Sequence, residues 1–99
     1  MNTNLQFKVF LHTKNEQRTV DQEVKNKILS LTKGVKPTGY ATLKVTKNQE
    51  QLGALYFTTI NVDVESVQGA FGFDIVRQVG EMFTDAVSVS LLIENLYVE

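Results

Sequence analysis

The order of elements legible in this sequence, β-α-β-β-α-β, predicts an α+β domain: a four-stranded antiparallel sheet with two helices on one face. Three observations carry that expectation. Runs of alternating apolar and polar residues recur four times along the chain. Two stretches with apolar residues three or four apart separate them. The polar connections between these segments are short. Ninety-nine residues, 42% hydrophobic and 21% charged, suffice for one core and not for two, so residues 1–99 are expected to form a single domain.

The first strand spans Leu5 to His12. Leu5, Phe7, Val9 and Leu11 share one face, while Gln6, Lys8, Phe10 and His12 share the other. Thr19-Val-Asp-Gln22 then has the spacing of a capping box, with Asp21 and Glu23 where the helix dipole favours acids. Val20, Val24, Ile28, Leu31 and Val35 follow as one helical stripe; Gly34 fits a C-terminal cap, and Pro37 forbids continuation.

Thr38 to Lys47 alternates again, with Ala41, Leu43 and Val45 on the inward face. Asn48 to Gln51 reads as a polar link into a third strand, Leu52 to Glu65. That strand contains a conflict. Leu55 and Phe57 are apolar at odd positions, whereas Ile60, Val62 and Val64 are apolar at even ones. Successive side chains point to opposite faces. The pattern therefore requires either a bulge near Thr58-Thr59 or cover on both faces of the sheet.

Phe71, Ile75, Val79 and Met82 or Phe83 restore helical spacing over about residues 70–84. Gly72 and Gly80 each weaken that helix by roughly 1 kcal/mol relative to alanine, so close approach to the sheet is their expected use. The last run, from Asp85 to Glu94, places Val87, Val89, Leu91 and Ile93 on one face; Leu92, Leu96 and Val98 then switch parity. Two helical crossovers around a central hairpin make a ferredoxin-like sandwich, with the first and third strands adjacent in the middle. Many unrelated activities use that architecture, so it assigns none of them.

A net charge of −1 supplies no electrostatic motive for nucleic acid or an anionic membrane. With no cysteine, thiolate chemistry, disulfides and cysteine metal sites are excluded together. No leader pattern opens the chain and no apolar run reaches the roughly 20 residues a membrane span needs, so a cytoplasmic protein is expected. The single histidine, His12, has neither cysteine nor a second histidine to build a metal site, and reads as a solvated strand end. Asp63 and Glu65 share a strand face without a partner that would separate their acidities. Gly69-Ala-Phe-Gly72 lacks any phosphate-loop lysine, and Asp74 would repel an anion. No catalytic residue, metal or cofactor is expected.

If the helices cover the odd-numbered side chains, Phe10, Tyr40, Tyr56, Ile60, Val62, Val64 and Leu92 stand on the opposite face. A face that apolar is expected to meet a second copy or another protein, making the chain a non-catalytic, homo-oligomeric interaction or assembly module that uses its open sheet face or its long strand edges. RNA-recognition domains share the topology and stack bases on sheet aromatics, here Phe10 and Tyr56, but the third strand carries no lysine or arginine. In length, in the Gly39-Tyr40 lead-in to the second strand and in its aromatic sheet face, the chain is similar to small dimeric α+β-barrel proteins. That resemblance implies an alternative, a dimer binding or oxidising a small apolar ligand between its sheets, with His12, Tyr40 and Tyr56 as pocket residues.

Overall fold

The computed structural model describes residues 3–31, 40–66 and 72–98. Its elements run β1 (Thr3–Thr13), α1 (Val20–Leu31), β2 (Tyr40–Leu52), β3 (Leu55–Ser66), α2 (Gly72–Glu81) and β4 (Ser88–Val98). The four strands form one sheet in the order β2-β3-β1-β4, with every neighbouring pair antiparallel. The first and third strands are central, as the crossovers led one to expect, and β2 and β4 are the edges. Val35, Gly34, Pro37 and Gly69 to Phe71, to which the sequence assigned roles, lie outside the described residues.

β1 behaves as its alternation dictates. Leu5, Phe7, Val9 and Leu11 are all buried, and they face Val64, Val62, Ile60 and Thr58 of β3 across the sheet. Directly opposed residues of an antiparallel pair share a face. The even-numbered residues of β3 therefore join the odd-numbered residues of β1 in one core. Val20, Val24 and Ile28 of α1 and Ile75, Val76 and Val79 of α2 close over it. Each such side chain contributes about 1.5–3 kcal/mol by leaving water.

This corrects the expectation for Ile60, Val62 and Val64. They lie under the chain's own helices and not on the open face. Nor does a bulge interrupt Thr58-Thr59, because the β1–β3 register runs unbroken from Thr3 opposite Ser66 to Thr13 opposite Tyr56. The hairpin between β2 and β3 supplies the reason. Leu52 pairs with Leu55, so the turn is only Gly53-Ala54, and Gly53 has φ of 62°. Ala54 does not share a positive φ, which is the type II′ pattern with glycine leading. Two-residue closure at that point sets odd positions of β2 against even positions of β3: Leu43 with Val64, Val45 with Val62 and Lys47 with Ile60.

The expected link at Asn48 to Gln51 is instead strand. Lys47 and Gln49 sit on its helix-side face, where they hold the connection between β1 and α1. The Lys47 ammonium donates to the Gln17 carbonyl at 2.7 Å and to the Arg18 carbonyl, and stands 4.0 Å from Asp21. Gln49 accepts from the Gln17 backbone N–H at 3.0 Å and donates back to the Gln17 carbonyl at 3.4 Å. Lys47 and Gln49 are thus both employed on this face. Thr19 precedes α1 and its carbonyl accepts from Glu23 N–H at 3.0 Å, but Gln22 turns forward to Asn26 at 2.9 Å and does not complete the capping box.

The parity switch expected in β4 has a structural cause. Phe7 pairs with Ile93 and Gln6 with Asn95, which leaves Glu94 as an extra residue. That bulge allows Ile93 and Leu96 both to pack against the core. α2 covers β4 through a glycine: a Cβ added to Gly80 would come within 2.7 Å of Leu91 Cδ1. The close approach expected of Gly80 is therefore present.

Candidate interaction surface

The open face is built from the outward residues of all four strands. β1 gives Gln6, Lys8, Phe10 and His12; the residues facing them on β3 are Asp63, Asn61, Thr59 and Phe57. Lys44, Thr46, Asn48 and Glu50 extend the face on β2, and Ser88, Ser90, Leu92 and Tyr97 on β4. Phe10 is half-buried and Leu92 is exposed, as the alternation placed them. The remaining expectations do not converge there.

Tyr56 lies opposite buried Thr13 and so stands on the helix side of the sheet, away from Phe10. The pair cannot form a stacking platform for bases. Tyr40 pairs with Ser66, which pairs with Thr3, whereas His12 pairs with Phe57. At ~3.3 Å per residue the nine steps from Thr3 to His12 separate Tyr40 from His12 by about 30 Å. Within one chain the three residues His12, Tyr40 and Tyr56 do not come together.

His12 is not a free strand end. Its ring meets Phe57 edge-on, with centroids 4.1 Å apart and planes at 67°. Beside this apolar end the middle of the face turns polar. A shallow depression of about 280 Å³ is lined by Gln6, Lys44, Thr46, Asn61, Asp63 and Glu94, and Lys8 reaches Glu94 at 3.8 Å. A second cleft, of about 460 Å³, opens between the loop after β1 and the α2–β4 connection, with Lys14, Gln17, Glu23, Phe83 and Asp85 on its walls. Thr13 and Gln17 on that wall already donate to the Asn15 carbonyl, at 2.7 and 3.0 Å. Among the described residues no three His, Cys, Asp or Glu side chains come together as a metal set, and no helix is long and apolar enough to cross a membrane.

Leu29, Leu52 and Phe73 are exposed singly on α1, at the end of β2 and on α2, whereas four other exposed apolar side chains lie together along β4 and the turn before it. Val87 is 54%, Leu92 50%, Tyr97 53% and Leu91 39% exposed. Leu91 points to the helix side and Leu92 to the open side, so the strand is apolar on both. Sequence reasoning had singled out only Leu92 of these. The signal available was the run Ala86-Val-Ser-Val-Ser-Leu-Leu-Ile93, eight residues without a charge. β2, the other edge, carries Lys44, Lys47 and Glu50. Comparison with protein-family models and with curated proteins finds no significant match to this sequence.

Proposed function

We propose that this chain is a ferredoxin-like interaction module that works by assembly and not by catalysis, in the cytoplasm, with its β4 flank as the contacting surface. The observation that carries the reading is the asymmetry of the two sheet edges. An exposed strand edge offers unpaired N–H and C=O groups to any other strand, and proteins ordinarily blunt such edges with lysine, proline or cover. Here β2 is blunted by charge, while the first half of β4 is left apolar and uncharged.

The open face contributes less than its sequence suggested. With Ile60, Val62, Val64 and Tyr56 turned to the helix side, its apolar residues reduce to Phe10, Phe57, Leu92 and Tyr97 around a polar centre, with Leu52 and Leu55 at the hairpin end. An edge-led contact extending onto Leu92 and Tyr97 is the arrangement this distribution favours. Light scattering at micromolar concentration tests the reading. Particles heavier than one 11.1 kDa chain are expected; a strict monomer that gains no partner at the β4 flank contradicts it.

A further inference from the structure

We infer that the partner of β4 is a second copy of the same strand, paired antiparallel about a two-fold axis through Leu91. The inference rests on the assembly reading above and specifies its occupant and register. Antiparallel pairing about a two-fold sets residues of equal face opposite one another. An axis at Leu91 places Leu91 against itself, Val89 against Ile93 and Ser90 against Leu92. On the helix side every facing pair is then apolar, and the two cores become continuous through an eight-stranded sheet.

Charge favours this partner. No like charges meet, because Ala86 to Ile93 carries none and Glu94 falls opposite Ser88 of the second copy. Glu94 is in addition held by Lys8 at 3.8 Å within its own chain. The bulge at Glu94 ends the regular stretch and limits pairing to the residues before it. An axis at Ser90 would oppose Ser88 to Leu92 and set Ile93 against Val87, which lies before the strand begins, so only the Leu91 axis faces Val89, Leu91 and Ile93 with residues of β4 itself. The same self-pairing of β2 about Lys47 would set Lys44 against Glu50 but bring the two Lys47 residues, each already serving the Gln17 and Arg18 carbonyls, face to face.

The absence of cysteine makes the register directly testable. Cα atoms of directly opposed strand residues lie about 4.5–5.5 Å apart, within the span a disulfide bridges. Under mild oxidation Leu91→Cys should give a covalent dimer in high yield, while Ser90→Cys and Asn48→Cys should remain largely uncrosslinked. Leu92→Lys brings two ammonium groups near the axis without touching the helices, and should halve the particle mass at concentrations where the parent chain is dimeric. Circular dichroism melts establish that each variant is folded. A dimer that crosslinks only through Ser90→Cys overturns the register and leaves the β4 assembly reading standing, whereas one that crosslinks only through Asn48→Cys, on the opposite edge, overturns both. A parent chain of single mass overturns both.

Discussion

Leu91 Cδ1 lies 2.7 Å from the point where a Cβ on Gly80 would stand, so α2 rests on the edge strand through a missing side chain. Leu91 is part-exposed, and its Cγ and Cδ2 are 3.6 and 3.8 Å from that point, so only one methyl obstructs. Gly80→Ala should therefore change stability by less than about 1 kcal/mol, the helix-propensity gain offsetting displacement of Leu91. In a Leu91→Ala background the same change should become stabilising by about 1 kcal/mol. Urea titrations of the four proteins in this cycle check the coupling; strictly additive effects would show that the two residues do not meet.

The position of Ile60 decides which face of β3 is inside. Ile60→Ala should cost about 2–5 kcal/mol in urea unfolding, as expected for a fully buried isoleucine. Asn61→Ala, one residue along on the open face, should stay within about 0.5 kcal/mol. Equal small effects at both positions would place Ile60 at the surface.

Lys47 ties β2 to the loop before α1. Lys47→Met keeps the apolar stem and removes the ammonium that serves the Gln17 and Arg18 carbonyls, and should cost about 1.5–3 kcal/mol. Asp21→Asn should cost no more than ~0.5 kcal/mol, since that contact is a part-exposed 4.0 Å pair. A larger loss from Asp21 than from Lys47 would reverse the assignment.

Thr58 is buried on the helix side, and its hydroxyl has no hydrogen-bond partner among the described residues. Thr58→Val keeps the shape and removes a group that is desolvated without return. It should stabilise by about 1 kcal/mol, read as a higher urea midpoint at unchanged slope. A lower midpoint would mean that the hydroxyl is satisfied in solution.

Much of the fold was legible in this sequence because β1 and α1 obey single periodicities: Leu5 to Leu11 by twos, Val20 to Ile28 by fours. Gly80 also announced its role, since a glycine amid good helix formers needs a reason. The face of Ile60, Val62 and Val64 was misread for a specific cause. Lys47 and Gln49 look like loop residues but occupy the helix-side face of β2, where they bind backbone carbonyls beyond the core. Reading Asn48 to Gln51 as a link hides the Gly53-Ala54 turn, and that turn sets which parity of β3 faces the inward residues of β2. The edge signal in Ala86 to Ile93 was present but became meaningful only once β4 was seen to have one neighbour and β2 to be the charged edge.

The account depends on β4, and not β2 or the open face, being where the molecule meets its own kind. Residue-resolved amide hydrogen exchange across a dilution series tests this most directly. Alternate amides of Ser88 to Ile93 should gain protection as concentration rises, while those of Thr46 to Glu50 keep the same rates. Exchange in β4 that ignores concentration, or protection that appears along β2 instead, would contradict it.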